Sequence, residues 1–169
     1  MKKLLSLLIL TGTLFAQANN VFTLNPSVNS SAMGNVGIAH ADVKNVFHNP
    51  AFAGLNKRHQ EISYVDWLPN LTDDMGYQSI LYTSSLGWSS EIFYFNYGTQ
   101  IEADQGGIII GDFESSSYRV SGGYGFRIGD WLFGARLNLY NHNFIDSFDV
   151  DMNYGFDLGA YKEFGNTSL

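Results

Sequence analysis

The sequence holds no cysteine, only three prolines, and no apolar run of the about 20 residues that a membrane-crossing helix requires. Without cysteine there are no disulfide staples, no thiol nucleophile and no cysteine-type zinc site, so stability must come from packing and backbone pairing. Basic residues are also scarce. Nine Lys and Arg stand against sixteen Asp and Glu, giving a net charge of −7. Arg119, Arg127 and Arg136 are scattered rather than massed, so the positively charged footprint that phosphate binding needs is missing, and nucleic acid is not an expected partner.

What is present begins with the first eighteen residues. Lys2 and Lys3 form a basic tip, Leu4 to Phe15 is apolar apart from small residues, and Ala16-Gln17-Ala18 is a small-x-small end. This pattern reads as a secretory signal peptide, residues 1–18, and implies export. The remaining Asn19 to Leu169 keeps all sixteen acids but only seven of the Lys and Arg, a net charge of −9. Glycine is frequent at 18 residues and aromatics make up 15%. Both are poor helix formers and aromatics favour strands, so the composition predicts a β-rich chain.

Residues 19–60 differ from the rest. They are rich in Asn, Ser, Ala and Gly, and their apolar residues show no two-residue period. We expect a loop with one or two short helical turns between Ser31 and Phe47, stopped by Pro50. From residue 61 the period becomes two. In "WLFGARLNLY", Trp131, Phe133, Ala135, Leu137 and Leu139 share one face, with Gly134, Arg136 and Asn138 on the other. "SYRVSGGYGFRIG" sets Tyr118, Val120, Tyr124, Phe126 and Ile128 against Arg119, Ser121, Gly123 and Arg127, and "DMNYGFDLGAY" sets Met152, Tyr154, Phe156 and Leu158 against Asn153, Gly155, Asp157 and Gly159. Four less regular candidates, 61–67, 77–84, 86–98 and 107–116, bring the expected count to about seven strands.

Long alternating strands suit two architectures. A strand crossing an outer membrane needs about 9–11 residues, whereas soluble strands are nearer 5–6. The Gly, Arg and Asp residues opposite the apolar face are poor material for a sandwich core but suit a wet lumen. Tyr118, Trp131, Tyr140, Tyr154 and Tyr161 lie near strand ends, where an aromatic girdle would sit. The favoured fold is therefore all-β, an antiparallel transmembrane β-barrel with Arg119, Arg127, Arg136 and Asp157 facing the lumen. The alternative is a soluble periplasmic β-sandwich binding carbohydrate or protein, with Trp131, Phe133 and Leu137 packed against a second sheet.

The segment "SAMGNVGIAHADVKNVFHNPAFAGL", Ser31 to Leu55, resembles the N-terminal signature of the FadL-type outer-membrane barrels, and more closely that of the PorV/PorQ family associated with type IX secretion. The shared pattern is Met33-Gly34, a short apolar run, Asp42, and an aromatic shortly before Asn49-Pro50-Ala51. The run from Asn96 to Tyr140 and "YGFDLGAYKEF" resemble the strands that follow. The odd strand count and the polar ending "KEFGNTSL" suggest an N-terminal fragment of a larger barrel, with a complete eight-stranded barrel as the next possibility, and the resemblance implies a fourteen-stranded barrel of which this chain would hold about half. It also implies an outer-membrane location, residues 19–60 folded into the lumen as a plug, and residues 61–169 forming barrel strands. The expected partners are outer-membrane lipid and either hydrophobic small molecules or secretion-system proteins.

No catalytic motif and no metal-ligand spacing is present, and neither a cofactor nor an enzymatic activity is expected. His40 or His48 could form a dyad with Asp42, although such residues are more often solvated plug residues. Gly122-Gly123-Tyr124-Gly125 lies within a strand, where close packing or lumen space explains it.

Overall fold

The computed structural model describes residues 20–34, 37, 40–70, 72, 74–143 and 152–162; the expected signal peptide lies outside the described residues. Six strands form one antiparallel sheet in sequence order: β1 (His59–Asp66), β2 (Gly76–Thr83), β3 (Trp88–Ala103), β4 (Ile109–Ile128), β5 (Trp131–Asn143) and β6 (Met152–Lys162). The sheet is open, because β1 and β6 do not pair with each other. Ahead of it lie a 3-10 turn at Asn20–Thr23, a one-turn α-helix at Val28–Ala32, and 3-10 turns at Val43–Asn45 and Pro50–Leu55. Among the described residues no helix is long and apolar enough to cross a membrane.

The tight connections follow local chemistry. Between β2 and β3 the Ser84 hydroxyl accepts from the amides of Leu86 and Trp88, at 3.2 and 3.0 Å, and Gly87 takes a positive φ of 85° that L side chains rarely adopt. Gly129 does the same, at 59°, in the two-residue turn between β4 and β5. The expected seven strands are six because 107–116 and 118–128 form one continuous β4. Ser116 and Ser117, with no Gly or Pro nearby to break the run, pair with Asn96 and Phe95 of β3.

Alternation gives the sheet two unlike faces. One carries Ile62, Ile80, Ile92, Tyr118, Val120, Tyr124, Phe126, Trp131, Leu137, Leu139, Tyr154, Phe156 and Leu158, all exposed; Leu137 is 62% and Leu158 75% accessible. The other is covered by the N-terminal segment and buries Ser63, Ser79, Glu91, Ser117, Arg119, Ser121 and Asn138. This inverts the usual order, in which charge faces out and large apolar side chains face in. The covered face is not polar throughout. Tyr77, Phe93 and Phe95 cluster there beneath Val21 and Leu24, which explains the irregular alternation of β2 and β3: both of their faces are apolar. Tyr140 and Tyr161, expected in a girdle, also lie on the covered face, against Phe22 and Phe52. Their parity is that of Arg136 and Asp157, and one residue decides the face.

Candidate functional site

The Asn49-Pro50-Ala51 turn is built by capping. The Asn49 side-chain oxygen accepts from the Ala51 amide at 3.0 Å, and Pro50 takes the first helical position, where its missing N–H costs nothing. Pro50 thus starts a 3-10 turn rather than only ending a helix, correcting the expected stop. Asn49 Nδ2 reaches across to donate to the Ala160 carbonyl of β6 at 3.2 Å.

Beneath that turn the sheet has no side chains. Gly125, Gly134 and Gly159 are register partners across β4, β5 and β6, so they form a row on the covered face. A Cβ on Gly134 would lie 2.3 Å from the Pro50 carbonyl group, one on Gly125 2.4 Å from the Gly54 nitrogen, and one on Gly159 2.0 Å from the Asn49 Oδ1. The Pro50–Leu55 backbone therefore rests directly on strand backbone, which is the close approach that a strand glycine permits. Ala51, Phe52 and Leu132 are buried around the contact.

The next layer is charged. Arg119 and Glu91 are both buried and paired; Arg119 Nε donates to Glu91 Oε1 at 2.9 Å, Nη2 donates to the same oxygen, and Nη1 donates to the Phe22 carbonyl. Arg136 donates to Asp157 Oδ2 from Nη2 at 2.7 Å and from Nε at 3.0 Å, and Asn138 Nδ2 adds a third hydrogen bond at 2.8 Å. Phe47 sits between the two pairs, its ring centroid 4.6 Å from the Arg119 guanidinium carbon and 5.3 Å from that of Arg136, while Phe93 closes on Arg119 at 5.0 Å. Each such contact contributes about 0.5–2 kcal/mol, the larger values holding where water is excluded.

A third layer fixes residues 25–30. The Ser27 hydroxyl donates to the Glu61 carboxylate at 3.0 and 3.1 Å, and Tyr77 donates to the Asn25 carbonyl at 3.3 Å. His48 Nε2 meets Asn25 Nδ2 and the Ser30 hydroxyl, each at 3.0 Å. An amide nitrogen can only donate, so Nε2 must be the accepting, unprotonated nitrogen. Burial, followed by the nearby Arg136 charge, lowers the His48 pKa below its ordinary value.

The residues singled out from the sequence fall in five places. Asn49, Pro50 and Ala51 lie on the glycine row, and Arg119, Arg136 and Asp157 lie beneath Phe47. Arg127 has the same parity but is exposed, at the rim of an open cavity of about 500 Å³ bordered by Leu55, Lys57, Leu132 and Tyr161. Met33 and Gly34 end the short helix away from these contacts; Met33 is exposed and Gly34 takes a φ of 72°. Asp42 caps the Val43–Asn45 turn by accepting from the Lys44 amide at 3.0 Å. With Asp42 used as a cap and His48 against Asn25 and Ser30, these bonds do not form the considered dyad.

Glu91, Phe47, Gly134 and Gly159 are structural members that residue-by-residue reading did not select. The glycine row is nevertheless encoded in spacing: Gly125 and Gly134 are equidistant from the Gly129-Asp130 turn and must pair. Glu91 is the one acid between Trp88 and Ile101, a signal masked by the apolar run Ile92 to Phe95 that follows it. Compared with known proteins, the chain matches no family model, no curated protein and no solved structure.

Proposed function

We propose that this chain forms the wall of an outer-membrane β-barrel of the PorV/PorQ and FadL-like type, with its own N-terminal segment as a plug in the lumen. Its role is non-enzymatic: passage of hydrophobic compounds, or service as a barrel component of protein secretion. The reading rests on the sequence resemblance, on the signal-peptide pattern of residues 1–18, and above all on the inverted polarity of the sheet. Contiguous apolar patches beyond a few hundred Å² are rare on soluble monomers, yet a continuous apolar face here spans all six strands. Hydrocarbon is the environment in which such a face is stable, and a covered face with two ion pairs suits a bore.

Ring geometry on the apolar face agrees. Trp88 packs on Tyr124 at 4.8 Å, Tyr124 on Phe126 at 6.3 Å, Phe126 on Phe133 at 5.8 Å and Phe133 on Trp131 at 6.0 Å, with the Lys162 amine 5.2 Å above Trp131. This band runs beside the two short turns, at the level where aromatic girdles meet headgroups. The sandwich alternative needs a second sheet over Trp131, Phe133 and Leu137, of which Trp131 and Leu137 are exposed and Phe133 is half-buried.

Fractionation of cells expressing the full chain tests the proposal. Recovery in the outer membrane, resistant to carbonate extraction and released only by detergent, is expected; recovery in the soluble periplasm overturns it. Within that reading, transport predicts saturable binding of an apolar compound that is lost on mutation beneath the plug, and secretion predicts a stable protein partner that survives detergent extraction.

A further inference from the structure

We infer that the hairpin formed by the far ends of β3 and β4 is a docking arm for a protein partner whose surface is apolar and ringed with Lys or Arg. β3 continues from Tyr97 to Ala103 beyond its last pairing with β2 at Asn96, and β4 begins at Ile109, seven residues before its first pairing with β5 at Ser116. Among the described strands, residues 99–103 and 109–114 pair with each other alone. At about 3.3 Å per residue the ribbon extends roughly 20 Å past its neighbours, with both outer backbone edges uncovered by another described strand.

The arm is anchored at its base and shaped at its tip. The Thr99 amide donates to Asp74 Oδ2 at 2.7 Å, and Gly98, at a φ of 73°, lies against that carboxylate. At the tip Asp104 Oδ1 accepts from the Gly106 and Ile108 amides at 2.8 and 2.9 Å. These contacts favour a defined shape, although a two-stranded hairpin alone is marginal in water and gains stability from being covered.

The composition of the arm identifies what covers it. Ile101, Ile108, Ile109 and Ile110 are each 61–68% exposed. Residues 99–114 also hold Glu102, Asp104, Asp112 and Glu114, and no Lys, Arg or His. Lipid is a poor match, because Ile101 and Asp112 are direct register partners and the carboxylate would enter hydrocarbon beside the isoleucine. Water leaves four β-branched side chains exposed beside two edges that no other described strand pairs, which is the combination that invites strand addition. A second copy would set like charge against like. An apolar partner strand or groove rimmed with basic residues matches both the isoleucines and the carboxylates, and the acids would also speed and orient the encounter.

A photoreactive amino acid placed at Ile109 in the full chain, expressed in its native host and compared with the same group at Ile80 on the apolar sheet face, tests the arm. The expected result is a protein adduct specific to position 109. Mass spectrometry should place its cross-link in a Lys- or Arg-rimmed apolar region, and its yield should fall by about tenfold or more in the E102K/D112K/E114K background. Glu102 and Asp112 lie outside the turn and the base, and Glu114, opposite Thr99, is not the carboxylate that anchors it, so the hairpin keeps its anchors. Absence of a protein adduct at 109 above the level at 80, an adduct with lipid, or a yield unchanged by charge reversal would overturn the inference. The outcome is separable from that of the barrel proposal, because a chain recovered in the soluble fraction that still gives the specific adduct refutes the membrane reading and keeps the arm.

Discussion

At the scale of single residues, the glycines of the sheet divide by what lies above them. Gly134→Ala places a methyl group against the Pro50 carbonyl, and either strand or turn must shift, at a cost of about 1–3 kcal/mol. Gly122, in the same strand as Gly125 but on the apolar face, has nothing within 4 Å of where a methyl group would stand; its replacement by Ala should be neutral or stabilising by about 0.5–1 kcal/mol. Urea unfolding of the two variants in detergent checks the contrast, and equal effects would count against backbone contact at the row. Arg119→Met should cost about 3–5 kcal/mol, since the buried Glu91 loses its partner, whereas adding Glu91→Leu should recover most of that loss.

His48 gives the pH dependence of the same layer. Its folded pKa lies below the unfolded value of about 6.5, so the unfolded state binds the extra proton more readily. Stability supplied by the neutral ring is therefore present above pH 6.5 and is lost as pH falls below it towards the folded pKa. Protonation also places an N–H against the Asn25 amide that now donates to it. Proteolysis of the N-terminal segment should accelerate across that acid range in the wild type and show a flatter profile in His48→Gln.

At the scale of elements, the N-terminal segment is held by three separate layers, so a lesion in one should loosen it without unfolding the sheet. Phe47→Ala removes the ring between Arg119 and Arg136 and should weaken seating by about 1–3 kcal/mol. Trypsin cleavage after Lys44 should then rise by about tenfold for each 1.4 kcal/mol lost, with strand cleavage unchanged. Strand periodicity made β5 and β6 legible from sequence, because their covered face is polar and small. β2 and β3 were harder to read, since Tyr77, Phe93 and Phe95 make the covered face apolar too. The joining of two expected strands into β4 was hidden because serines are neutral punctuation: they mark a turn in some contexts and line a covered polar face in others. The N-terminal turns were the least legible. Their backbone is shaped by what it rests on, and the glycine row becomes visible only once strand register is known.

At the scale of the whole molecule, polarity decides between environments. If the apolar face meets hydrocarbon, Leu137→Arg should cost about 2–4 kcal/mol near mid-membrane and leave a barrel that still assembles, read as a shifted unfolding midpoint after reconstitution. In a sandwich the same charge would enter a dry core and abolish folding. The sequence indicated which residues share a face but not whether the sheet closes, because closure depends on strand number and stagger rather than on any local pattern.

The absence of cysteine makes the most direct test a clean one, since a single introduced thiol is unique. Leu137→Cys and Asn138→Cys, each carrying a nitroxide label in lipid vesicles, report the two faces by collision with dissolved oxygen and with an aqueous nickel chelate. Hydrocarbon contact at the apolar face predicts that the label at 137 is reached readily by oxygen and poorly by nickel, while the label at 138 is shielded from both beneath the N-terminal segment. A label at 137 reached freely by nickel, or screened from both reagents inside protein, would contradict it.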